Sequence, residues 1–173
     1  MLWFPTLSIW VGRRSLVKEI HIWTAVGWAA AIALIVLLGD RQGLRSDWRE
    51  IESIDGDDRR WLRGRKVPQG RFNAGQKLNS IVTAAFALLF AVSGVLLWLA
   101  ARESSFRWDG PIVVHDALTV LSLALVLGHL YLALVHPTTR HALRGMTQGD
   151  VREDWARKHH PKWIEDNERQ AGA

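Results

Sequence analysis

The chain has 173 residues, 49% of them hydrophobic, with 22 Lys and Arg against 17 Asp and Glu and a formal net charge of +5. It holds no cysteine, which excludes a disulfide framework, thiolate-held zinc or iron–sulfur clusters and covalently attached c-type haem. A mean hydropathy near zero hides a sharp separation of charged and apolar blocks, so the average describes neither part.

The N-terminal MLWFPTLSIWVGRR carries its charges after its apolar residues and has no small-residue cleavage site, so it does not read as a signal peptide. From Ile22 to Leu38 no residue is charged, and His21 heads the run; a first membrane-spanning helix is expected over 20–39. In the loop after it, SDWREIESIDGDDRRWL from Ser46 to Leu62 predicts a short amphipathic helix at a membrane surface. It would be capped by Ser46, broken near Gly56, and turned inward through Trp48, Ile51 and Ile54. Its aspartates lack the ligand period and closing Glu of a calcium loop.

A second charge-free run, Ser80 to Ala101, predicts a span over 79–101. The third, Ala117 to Val135, contains only His129 and predicts a span over 112–135, ended at His136-Pro137 because proline cannot continue a helix. Trp3 and Trp10 precede the first span, and Trp98 and Trp108 flank the exit of the second, where an interfacial aromatic belt belongs. In the tail, His159 and His160 are adjacent, which turns their rings apart and supplies no third metal ligand. That tail is expected to be helical, mobile and solvated, docking against a partner subunit. The expected fold is an all-α integral membrane bundle forming a single domain over 1–173: three spans, a cytoplasmic loop over 40–78 with its surface helix, and a cytoplasmic tail over 136–173.

Orientation follows from loop charge. The loop from Asp40 to Asn79 holds ten Lys and Arg and the tail from His136 holds seven, against three in residues 1–20 and two at Arg102 and Arg107. The positive-inside rule then places loop and tail in the cytoplasm of a cell whose inner membrane the chain crosses. Anionic lipid accounts for this basic excess, so nucleic acid is not implied.

His115 and His129 lie fourteen residues apart on one span. Fourteen helical residues rise roughly 21 Å and turn about 40° short of four whole turns, which puts both imidazoles on nearly one face, toward opposite membrane edges. Titratable side chains in a span need a reason, and non-covalent haem ligation supplies one. With the first and third spans running in the same direction, His21 and His115 start at matching depth near the outer edge. Two such imidazoles from facing helices can ligate one haem iron from both sides. His129 lies deeper and has no partner at its depth in this sequence; His136 and His141 lie at or past the same helix end. Gly27, Ala31, Gly94 and Gly128 would allow close approach of a macrocycle or of another helix.

Two further segments are distinctive, GRFNAGQKLN from Gly70 to Asn79 and DWARKHHPKW from Asp154 to Trp163. Together with the His115/His129 pair and the HLYLAL beginning at His129, they make the chain resemble the cytochrome b (gamma) subunit of membrane-bound formate dehydrogenases along essentially its whole length. The resemblance implies haem b, held at the outer site by His21 and His115 and at an inner site by His129. It implies a quinone pocket bordered by Asn73 and Gly75, with Gln76 beside them. It also implies partners: an iron–sulfur subunit that delivers electrons, and a molybdenum- or tungsten-containing subunit that oxidises formate. No catalytic residue is expected on this chain itself. The family's first helix, with its fourth histidine, has no counterpart, since Phe4-Pro5-Thr6-Leu7 resembles the loop after it. A truncated or mis-started chain, a helix supplied by a separate polypeptide, and loss of the inner haem all remain open. Two other readings stand beside this one: a cytochrome b subunit of a hydrogenase or thiosulfate reductase, and a haem-free membrane anchor.

Overall fold

The computed structural model describes residues 14–103, 105 and 108–172, and no strand occurs among them. The helices in chain order are α1 (Arg14–Leu38), α2 (Arg41–Glu52), α3 (Gly56–Leu62), α4 (Ala74–Ala100), α5 (Asp109–Leu130), α6 (Leu143–Gln148), α7 (Glu153–His159) and α8 (Pro161–Ala171). A wide helical turn, Tyr131–Val135, prolongs α5, and a tight one, Arg140–Ala142, leads into α6. Three stretches are long and apolar enough to cross a membrane: Ser15–Leu38, Ala74–Ala100 and Asp109–Val135. The chain is therefore an all-α membrane protein with three such helices among its described residues, as its charge-free runs predict. Trp3, Trp10, Arg107 and the Phe4–Leu7 segment lie outside the described residues.

The chain divides into two units, Met1–Glu50 and Ile51–Ala173. In the first, α1 exposes large apolar side chains along its length, including Trp23, Ile35 and Leu38. A helix apolar all round calls for lipid or protein on every side. Within the described residues the helix already runs from Arg14, ahead of the apolar run, because Lys18 and Glu19 are good helix formers and only the apolar run marks the lipid-buried part. At its other end the Arg41 guanidinium donates to the Leu37 carbonyl at 2.9 Å, satisfying an orphan acceptor at the negative end of the helix dipole. Asp40 Oδ1 then accepts from the backbone N–H groups of Gln42 and Gly43, each at 3.0 Å, and starts α2. The cap of this surface helix is thus Asp40 and not Ser46. The helix exposes Leu44 and Trp48 one turn apart.

The second unit begins on two reciprocal caps. The Asp58 N–H donates to Asp55 Oδ1 at 2.7 Å and the Asp55 N–H returns the bond to Asp58 Oδ2 at 3.1 Å, which opens α3. The Gln76 N–H donates to Asn73 Oδ1 at 2.9 Å and the Asn73 N–H to Gln76 Oε1 at 2.8 Å, which opens α4 at Ala74, before its charge-free run begins at Ser80. α4 and α5 pack as a helical hairpin, with Ser93 buried on one and Leu118 on the other. Asp109 in the first turn and Pro111 just after it suit the start of α5, where a carboxylate favours the dipole and few N–H groups have partners to lose. At its far end the Thr139 hydroxyl donates to the Leu132 carbonyl, and His136, the residue before Pro137, turns extended.

The tail is not solvated throughout. His160 is buried and donates from Nδ1 to the Gly70 carbonyl at 2.7 Å, ninety residues away in sequence. The Lys162 backbone N–H donates to the Gln69 carbonyl at 3.2 Å, and Trp155 Nε1 donates to the Thr138 carbonyl at 2.7 Å. The expectation of a mobile, solvated tail is corrected on that ground: backbone carbonyls of the loop and the Trp155 ring give the two histidines a packed setting.

Lys162 Nζ also pairs with Asp57, and this bond holds the Asp57 carboxyl below its ordinary range while raising the ammonium. A carboxylate with a lowered folded-state value stabilises above its unfolded value and loses that contribution as the pH falls through the folded one. Acidification below about pH 4 is therefore expected to loosen the tail. Hydrogen-exchange protection at the Lys162 amide reads this out, and Asp57→Asn should show the lower protection already near neutrality. Equal protection in both proteins at neutral pH would remove the latch.

Candidate functional site

His115 sits in the second turn of α5, half-buried against α4. Its Nδ1 lies 2.9 Å from Ser93 Oγ. Ser93 is only 3% exposed, and its hydroxyl proton is committed to the Leu89 carbonyl at 2.7 Å, one helical turn back. With that proton used, the hydroxyl meets the imidazole through a lone pair, so Nδ1 carries the hydrogen and Nε2 the lone pair. A histidine that ligates a metal through Nε2 needs that tautomer, and an outer hydrogen bond from the other nitrogen is the usual way to fix it. Phe90 meets the imidazole edge-on, ring centroids 5.1 Å apart at 81°. A Cβ built on Gly94 would come to 3.7 Å from His115 Cε1, an ordinary contact, so the imidazole edge packs close to the backbone of α4 at that point. The donor set suits haem iron on these grounds. Gly27 and Gly128 face open space.

His129 is exposed on the same helix, which runs unbroken from Asp109 to Leu130, so the fourteen-residue relation to His115 holds in the structure. His21 is exposed on α1, in the first unit. Past the wide turn, His136 Nδ1 is engaged by Thr138 and Thr139, at 3.1 and 3.2 Å. Among the described residues no group of three His, Asp or Glu is arranged to hold a metal ion. Haem, which brings four equatorial nitrogens of its own, asks the protein only for axial ligands.

Asn73, Gly75 and Gln76 fall together at the start of α4, each with a packing duty that the sequence pattern spells out. Asn73 Oδ1 and Gln76 Oε1 are both spent in the reciprocal cap. Gly75 lies under the Trp61 ring, where a Cβ would stand 3.0 Å from Cη2 and 3.2 Å from Asn73 Oδ1. The Asn73 amide group, by contrast, makes no bond that the cap requires and can donate to a ligand.

Three residues that hold this turn are absent from the sequence-based set. Gln69, 5% exposed, accepts from the Ala74 N–H through Oε1 at 3.1 Å. Lys77 Nζ reaches the Asp58 carboxylate at 2.7 Å and the Ser53 carbonyl at 2.9 Å, and both ionic side chains are buried. An ammonium in the first turn of a helix is opposed by the dipole, and Asp58 offsets it. The D-x-x-D and N-x-x-Q spacings were legible signals for the caps; the Lys77–Asp58 pairing was not.

A family model described as prokaryotic cytochrome b561 matches residues 2–149. The cytochrome b556(Fdn) subunit of the nitrate-inducible formate dehydrogenase of Escherichia coli K12 is 32% identical over 105 residues, which is 58% of this chain and 46% of that protein. The cytochrome b556(fdo) subunit of formate dehydrogenase from the same strain is 30% identical over 121 residues, 64% of this chain and 56% of its own length. The formate dehydrogenase cytochrome b556 subunit of Haemophilus influenzae is 24% identical over 171 residues, 92% of this chain and 68% of that protein. The chain spans about half the length of the Escherichia coli relatives it matches.

Proposed function

We propose, from the premise that the chain belongs to the prokaryotic cytochrome b561 family, that it is the membrane-embedded electron-transfer subunit of a formate dehydrogenase complex, passing electrons from an iron–sulfur subunit to membrane quinone. Family membership implies b-type haem. The observation that carries the reading is the His115 imidazole, held by Ser93 in the tautomer an axial ligand needs. His21 and His115 would hold one haem, and His129 would ligate a second if another histidine is supplied from outside the described residues. Bound between two histidines, haem supplies a one-electron carrier with no open coordination position. The chain's own groups bind and orient: Ser93 fixes the ring of His115, and the capped turn at Asn73 offers an amide donor for a quinone carbonyl.

The loop and tail are assigned to the cytoplasmic side by their basic charge, and 1–173 is read as one functional domain built from both units. Formate oxidation itself belongs, in this reading, to a molybdenum- or tungsten-containing partner, and the chain is not catalytic alone. The formate dehydrogenase subunits among its relatives favour that complex over a hydrogenase or thiosulfate reductase.

The test is a haem-to-protein ratio with a reduced-minus-oxidised spectrum on the purified chain. One bis-histidine haem per chain supports the His21/His115 site, two supply a partner for His129, and none returns the chain to a haem-free anchor. The quinone side has its own test. Asn73→Asp keeps the acceptor that caps α4 and removes the amide donor, so quinone reduction should fall several-fold with haem content unchanged. Asn73→Ala should in addition cost about 0.5–2 kcal/mol of helix stability through the lost cap. Full quinone turnover in Asn73→Asp would remove Asn73 from the pocket.

A further inference from the structure

We propose that Ser93 is a positioning residue that sets the reduction potential of the haem ligated by His115, an inference that rests on the assignment of His115 as a haem ligand. Three features of the structure bear on it. Ser93 is almost fully buried in the stretch of α4 from Ala84 to Ala100, where no other residue carries a hydroxyl, amide or charged group, a place where a hydroxyl needs a reason. It meets that need with two bonds of fixed direction, donating to the Leu89 carbonyl and accepting from His115 Nδ1. It also stands beside Gly94 and one turn from Phe90, the two residues that bound the same imidazole, so the ring is held on three sides by one stretch of α4.

The consequence for the iron is electronic as well as steric. A hydrogen bond from Nδ1–H makes the imidazole a stronger donor through Nε2, and a stronger donor favours the ferric form. Because the acceptor is a neutral hydroxyl whose own proton is spent, the ligand stays a neutral imidazole. A carboxylate in that place would push it toward imidazolate and lower the potential further. Removing the acceptor should raise the potential and free the ring to rotate.

The experiment is potentiometric titration and low-temperature electron paramagnetic resonance of the purified haem-loaded protein, comparing wild type, Ser93→Ala, Ser93→Thr and His115→Ala. Ser93→Ala should keep haem, shift the midpoint potential upward and broaden the low-field ferric signal. Ser93→Thr should restore both, since a threonine hydroxyl in a helix makes the same bond to the carbonyl one turn back. Unchanged potential and line shape in Ser93→Ala overturn the proposal. If Ser93→Ala loses haem, the threonine variant decides: wild-type haem content and potential support the hydroxyl, while loss in both reduces Ser93 to packing and overturns it. His115→Ala separates the ligand assignment from the role of Ser93, because an unchanged haem-to-protein ratio after that change sinks the ligand reading whatever Ser93 does.

Discussion

His115→Ala should remove one haem per chain, the largest effect expected of any single substitution in the protein. Without cysteine there is no covalent tether, so a b haem is retained by its axial bonds and by its fit to the helices alone. Taking away one of two ligands leaves the iron bound from one side. The same change takes from the buried Ser93 hydroxyl the imidazole it meets at 2.9 Å but leaves its bond to the Leu89 carbonyl in place, so the hydroxyl is not stranded. That loss is local and does not by itself unfold a helical hairpin. The spectrum should therefore lose the low-spin haem assigned to His21 and His115 while the protein still inserts and purifies. His129→Ala should affect only the second haem, if one is bound. Where the wild-type protein binds two haems, loss of both from either change would point to one coupled site or to misfolding, and an unchanged spectrum in His115→Ala would end the ligand assignment.

Lys77→Met should open the loop around Gly70. The Lys77–Asp58 pair is buried on both sides, with side-chain exposures of 10% and 6%, and the ammonium also donates to the Ser53 carbonyl. Breaking a buried pair from one side strands the other charge and costs about 3–5 kcal/mol. Asp58 cannot retreat into solvent easily, because its carboxylate also receives the Asp55 N–H at the start of α3. A loss of that size raises the population of the locally open form by roughly two to four orders of magnitude. The connecting segment carries Arg63, Arg65, Lys66 and Arg71, so limited trypsin digestion of the detergent-solubilised protein reports the opening directly. Asp58→Asn combined with Lys77→Met should recover most of the resistance, since no charge is then stranded. Cleavage of Lys77→Met at the wild-type rate would mean that the pair holds nothing in place.

The three apolar helices could be read from composition because lipid imposes a length and a lack of charge that few other settings impose. Their ends could not. α4 starts where Asn73 and Gln76 exchange caps, and α1 is helical already at Arg14, both outside the charge-free runs that fix the spans. The acidic patch at Asp55–Asp58 looks like a loose cluster until its three-residue spacing is taken as a cap. His115 stood out in sequence because titratable groups are rare in such segments. Ser93 did not, since pairing it with His115 requires the rotational phase of two helices against each other. The latch between His160 and Gly70 spans ninety residues, and a charged tail gives no sign of which distant carbonyl will bury one of its rings.

The wide turn at Tyr131–Val135 has a consequence for how far the histidine-bearing face of α5 extends. There the His136 N–H reaches the Tyr131 carbonyl, five residues back instead of four. The extra residue held in that turn throws the chain beyond it out of step with an uninterrupted helix by about 100°. The face shared by His115 and His129 therefore ends as a matter of phase before the chain leaves the helix. His136, seven residues beyond His129 and on nearly the same side of a regular helix by count alone, is rotated away from it. Deleting one residue from the turn would not restore it, because His136 would then stand six residues beyond His129, about 120° off that face on a regular helix.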